Sequence, residues 1–105
     1  MGDRAMAEIR TKEGSLYFYT HWHGQCLPRV SKEALEKAQP RKDDTPYALR
    51  IIVDQLIKNA GGRDTGTGCG LLFKPNCEDE YNRNSPSVLI DLINNDVSVF
   101  GKHNQ

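Results

Sequence analysis

The clearest periodic pattern in the chain lies between residues 43 and 62. Ala48, Ile51, Ile52, Gln55 and Leu56 recur at helical spacing, so one stripe of a helix is built for burial. Asp43 or Asp44 stands where a cap is needed, and Pro46 falls in the first turn, where its missing N–H costs little. Asn59-Ala60-Gly61-Gly62 ends the helix. A different period governs Ser15 to Trp22, where alternation sends Leu16, Phe18, Thr20 and Trp22 to one face of a strand and Tyr17, Tyr19, His21 and His23 to the other. The first set reads as core and the second as a partly polar face. Glu13-Gly14 is a turn signal that pairs this strand with Ala7 to Lys12 in a hairpin.

Weaker patterns fill in the rest. Ser31 is placed to cap a short helix from Lys32 to Gln39, which Pro40 stops. After the main helix comes a glycine-rich loop, Gly62 to Gly68, then a strand from Cys69 to Lys74 and a polar connection from Pro75 to Pro86. Ser87 to Ile93 reads as a strand, Asn94-Asn95-Asp96 as a tight turn and Val97 to Phe100 as the antiparallel partner. The order β-β-α-α-β-β-β predicts an α+β domain: an antiparallel sheet with both helices packed on one face. A β-rich barrel plugged by a helix is the alternative. Leu16, Phe18, Ile52, Leu56, Leu89 and Val99 are the expected core. The 105 residues suit a single domain, 1–105, ordered from about residue 7 to 100.

Charge narrows the partners. Fourteen basic residues balance fourteen acidic ones, so no overall field draws the molecule to nucleic acid or to an anionic membrane. No apolar run approaches the roughly 20 residues of a membrane span, and Met1-Gly2-Asp3-Arg4 is not followed by a secretory leader. The expected location is the cytoplasm. Cys26, Cys69 and Cys77 are an odd number without a close C-x-x-C pair, which suits reduced thiols.

Candidate chemistry concentrates in Thr20-His21-Trp22-His23-Gly24-Gln25-Cys26. On an extended strand His21 and His23 would share a face and Cys26 would follow the Gly24 bend, a spacing that permits a metal. The order resembles the first metal motif of the metallo-β-lactamase superfamily, T-H-x-H-x-D-H, but Gln25 and Cys26 replace its aspartate and last histidine. The only other histidine is His103, so that family is rejected, and neither a metal nor a cofactor is expected. The Gly66-Thr67-Gly68-Cys69-Gly70 segment lacks a following G-K-[ST] and leads into a strand, so it fails as a P-loop while still offering backbone N–H groups. Among the basic residues, Arg50 stands apart: it precedes Ile51 and Ile52 at the edge of the core, with Tyr47 one turn before it, where it is suited to pair with a carboxylate or an anion. Asp54 and Asp91 interrupt apolar runs and fit a cap, an ion pair or a site. No nucleophile elbow or Cys–His arrangement emerges.

Three segments carry a resemblance: Tyr17 to Gly24 with Leu27-Pro28, Asp44 to Ile52, and Thr67 to Leu71. Together they look like a group of small uncharacterised proteins of phages, prophages and bacteria with an approximate Y-T-H-W-x-G, L-P, D-x-x-Y-x-x-R-I-I and T-G-x-G-[IL] pattern. His23 departs from that pattern, which further weakens a two-histidine metal site. The resemblance implies a phage setting, in the host cytoplasm, where proteins of this size oppose host defence by binding more often than by catalysis. The corresponding expectation is a non-enzymatic protein that sequesters a nucleotide-like signalling molecule. Its ligand-binding residues would be Tyr19, His21, Trp22, Tyr47, Arg50, Thr65, Thr67 and Gly68, meeting where the second strand ends and the main helix begins. The competing expectations are inhibition of a host defence protein, a structural phage role and, least favoured, a small metal-dependent hydrolase. Homo-oligomerisation is compatible with each.

Overall fold

A computed structural model describes residues 3–60, 65–73 and 86–100. Along the chain run β1 (Ala5–Thr11), β2 (Gly14–Thr20), α1 (Leu27–Ala38), a 3-10 turn (Gln39–Arg41), α2 (Thr45–Ala60), β3 (Cys69–Leu72), β4 (Val88–Asp91) and β5 (Asp96–Val99). The architecture is α+β, with two helices and one five-stranded sheet of order β3-β2-β1-β4-β5.

The sheet is mixed, which corrects the purely antiparallel expectation. β1–β2, β2–β3 and β4–β5 are antiparallel, but β4 runs parallel to β1, with Ala7 opposite Val88 and Ile9 opposite Ile90. Parallel neighbours need a long crossover, and the stretch between Thr11 and Val88, which holds both helices, supplies it. Strand alternation has period two whichever way a strand runs, so the pattern of apolar residues carried no information about this direction. The 3-10 turn between the helices is also additional to the expected order.

Register explains the core. Ala7 and Ile9 of β1, Phe18 of β2, and Val88 and Ile90 of β4 share one face and are all fully buried against Leu27, Val30, Ala34, Ala38, Ala48, Ile52, Leu56 and Ala60 of the two helices. α1 packs over β1, β4 and β5, α2 packs over β2, and the two helices lie side by side. Alanines at four of those helical contacts remove side-chain bulk and let the layers approach. Ile52, Leu56 and Phe18 are core as expected, and Leu16 is half-buried. Leu89 is buried but points, together with Met6, to the opposite face, which neither described helix covers, and Val99 is 37% exposed on the edge strand β5.

Local boundaries follow recognisable chemistry. The hairpin closes through Lys12 and Glu13 with Thr11 opposite Gly14. Thr11 Oγ1 accepts from the Glu13 N–H (3.1 Å) and donates to the Gly14 carbonyl (2.7 Å), and Gly14 takes φ +133°, which disfavours any side chain. α1 begins at Leu27, not Lys32: Pro28 sits in its first turn, and Ser31 is not its cap but a fully buried residue inside the helix whose hydroxyl has no hydrogen-bond partner among the described residues. A Leu-Pro pair so soon after the Gly24 bend hid that early start. Among the described residues no helix is long and apolar enough to cross a membrane. The connection 75–85, Cys77 and His103 lie outside the described residues, as do positions 61–64 of the glycine-rich loop.

Candidate functional site

At the end of β2 the chain is clasped from both sides. β1 pairs Ala5 with Thr20, and one residue further the Asp3 N–H donates to the His21 carbonyl (2.8 Å). On the other flank the His21 N–H donates to the Gly68 carbonyl (2.8 Å), just before β3. Beyond the strand, the His23 N–H donates to Thr20 Oγ1 (3.2 Å), while Asp3 accepts from the N–H groups of Gly24 (2.8 Å, through its carbonyl) and Gln25 (2.8 Å, through Oδ2). These bonds turn the 21–25 segment and fix the backbone of His21.

On the face opposite α1 and α2 this register makes Arg4 the cross-strand neighbour of His21, with Tyr19 two residues behind it. The three side chains form a closed triad. Arg4 Nε donates to Tyr19 Oη (3.1 Å), Arg4 Nη2 lies 3.3 Å from His21 Nε2, and Tyr19 Oη lies 3.1 Å from His21 Nδ1. The Tyr19 and His21 rings meet edge to face at 6.3 Å, and the Trp22 ring lies 4.2 Å from His21 at a tilt of 55°. Trp22 is 53% exposed, not in the core, because the strand ends at Thr20 and alternation no longer governs position 22. His23 likewise lies beyond the end of the strand, and its carbonyl accepts from Cys26 Sγ (3.4 Å). Among the described residues no group of three or more His, Cys, Asp or Glu side chains is placed to hold a metal ion.

The structure divides the expected binding residues. Tyr19, His21, Trp22 and the Gly68 carbonyl come together; Thr65 and Thr67 are exposed in the loop that leads to β3. Tyr47 and Arg50 are elsewhere. The start of α2 lies over the hairpin turn, where Thr45, Pro46 and Leu49 share a cavity of about 310 Å³ with Thr11, Glu13, Gly14, Ser15, Leu16 and Phe73. β2 runs away from that turn to Thr20, a distance of roughly 20 Å at the usual rise per residue. Arg50 pairs with Asp54 (3.7 Å), and both are about two-thirds exposed. The helical stripe specified which side of α2 meets the sheet, but nothing in it specified over which end of β2 the helix begins. A second cavity, about 230 Å³, lies at the same hairpin end, between Thr11, Lys12, Lys42, Asp43, Thr45, Leu92 and Ile93. Neither cavity reaches the triad.

Two further groups on the sheet are structural. Asp91 Oδ1 accepts from the N–H groups of Ile93 (2.9 Å) and Asn94 (3.0 Å), and Oδ2 from Asn94 Nδ2 (2.9 Å). Burial pushes its carboxyl up, but these bonds and the Arg10 guanidinium outweigh it and hold the carboxyl below its ordinary value. Burial, and next the Glu8 carboxylate, push the Tyr17 hydroxyl above its ordinary value; Glu8 itself accepts from Ser15 Oγ (2.7 Å) and Arg10 Nε (3.2 Å).

Arg4 and Asp3 are the site residues that sequence reasoning missed. Extending the hairpin register one residue beyond Ala5 sets Arg4 opposite His21, with Asp3 next to it in the chain, and only the start assigned to the first strand, Ala7, leaves them out. No protein-family model, no curated protein and no solved structure matches the chain, so the reading of this site rests on its own geometry.

Proposed function

We propose that the chain is a small non-enzymatic binding protein that takes a nucleotide-like molecule at the end of β2, with Trp22 as the surface for a flat ring and Arg4, Tyr19 and His21 as the polar groups beside it. In the phage setting implied by the sequence resemblance, such a protein would sequester a signalling nucleotide of the host's defence. The observation that supports this reading most is the half-exposed Trp22 ring held against His21, next to a guanidinium already fixed by two contacts. An exposed ring beside a cation is a stacking surface that tolerates many bases.

Trp22 is the single tryptophan of the chain, so its fluorescence reports on this site directly. Titration with cyclic dinucleotides, ADP-ribose derivatives and common nucleotides is expected to quench it saturably for at least one compound, and that compound should be recovered intact. At about 100 times its dissociation constant it should add about 2.7 kcal/mol to folding stability. Unchanged fluorescence and melting across the panel would refute the reading. Inhibition of a host protein is the second reading. What favours it is apolar surface on the edge strand β3, where Leu71 is 46% exposed, and just beyond it, where Phe73 is 91% exposed.

A further inference from the structure

The hydrogen-bond inventory of the triad closes with one proton left over. A guanidinium only donates, so its approach to His21 Nε2 at 3.3 Å makes that nitrogen the acceptor. A ring protonated on both nitrogens would set N–H against N–H there. The neutral imidazole must then carry its proton on Nδ1, and Nδ1 lies 3.1 Å from Tyr19 Oη, where it donates. Arg4 Nε donates to the same oxygen at 3.1 Å. Two donors occupy the two lone pairs of the phenol oxygen, and the hydroxyl proton of Tyr19 has no acceptor within the triad.

We infer that the Tyr19 hydroxyl reads the ligand: it donates its proton to a phosphate oxygen of a nucleotide whose base lies on Trp22. The inference rests on the proposed function and adds to it the group that separates a nucleotide from its nucleoside. Spacing agrees with such a ligand. With ring centres 6.3 Å from Tyr19 to His21 and 4.2 Å from His21 to Trp22, Tyr19 and Trp22 stand no more than about 10 Å apart, within reach of one base, sugar and phosphate.

The test uses adenosine 5′-monophosphate and adenosine as probes, with Trp22 fluorescence as the readout. The wild-type protein is expected to bind the monophosphate more tightly. Tyr19→Phe should weaken the monophosphate by about 10- to 100-fold, the usual worth of a hydrogen bond to a charged group, and leave adenosine within about 2-fold. Quenching by neither probe would overturn the inference, whereas the binding reading falls only if the wider nucleotide panel is silent as well. Equal effects of Tyr19→Phe on both probes, or none on either, would overturn the inference alone. Because the phenol also accepts from Arg4 and His21, the wild-type protein supplies an independent check. Nitrogen-15 spectra of its imidazoles should show His21 protonated at Nδ1 and bare at Nε2; the reverse tautomer overturns the assignment.

Discussion

Replacing Asp91 by alanine tests whether a side chain, and not only the strand pattern, fixes the β4–β5 connection. The carboxylate accepts three hydrogen bonds, two from backbone N–H groups of the turn and one from Asn94 Nδ2, at 2.9–3.0 Å. Hydrogen bonds to a charged acceptor contribute about 1.5–3 kcal/mol each when removed singly. They share one acceptor here, and Ile93 and Asn94 are exposed enough for water to replace part of what is lost. The three bonds are therefore not additive, so the low end applies and Asp91→Ala should cost about 2–3 kcal/mol at neutral pH. The pH dependence has a definite sign. The folded carboxyl titrates below its ordinary value, so its contribution is present above the unfolded value of about 4 and is lost as pH falls through the folded one. Urea unfolding of both proteins at pH 7 and again near pH 3 gives the two differences. A gap that is absent at pH 7, or that widens in acid, would refute the account of the turn.

Two other substitutions follow from the same coordinates. Ile52→Ala removes a fully buried side chain between α2 and the sheet and should cost about 2–5 kcal/mol in equilibrium unfolding; a loss under about half a kcal/mol would mean that the helix faces the sheet differently. Arg50→Ala breaks only an exposed pair with Asp54, so stability should move by less than about 0.5 kcal/mol and nucleotide quenching of Trp22 should be unchanged. Loss of quenching in that variant would return Arg50 to the binding site.

The elements were largely legible in the sequence because each rests on local chemistry: the stripe of α2, the alternation of β2, the glycine of the hairpin turn. Where reading failed, a longer-range fact was needed. Leu89 lies in a continuous apolar run, Val88-Leu89-Ile90, and which of these residues meets the helices is set by the register of β4 on β1, where Val88 and Ile90 stand beside Ala7 and Ile9. In the sequence α1 starts late because Ser31 looks like a cap; only tertiary packing shows that its position is needed inside the core, where its hydroxyl is tolerated without a partner among the described residues.

The site divides along the same line. His21 and Trp22 stand out in the sequence as part of the Thr20-His21-Trp22-His23 cluster, whereas Arg4 becomes visible only through the hairpin register that sets it across from His21. Tyr47 and Arg50 carried an attractive chemistry on the wrong end of the fold: their spacing to Ile51 and Ile52 is a property of the helix, and their distance from His21 is a property of how α2 starts over the hairpin turn. Residue type therefore nominated both groups, and sheet register selected between them. The register brings Arg4, Tyr19 and His21 within 3.3 Å of one another beside an exposed ring, while Arg50 reaches only a solvent-screened carboxylate on its own helix. A binding function centred on the triad thus needs no movement of α2, and the unchanged nucleotide response expected of Arg50→Ala is its direct consequence.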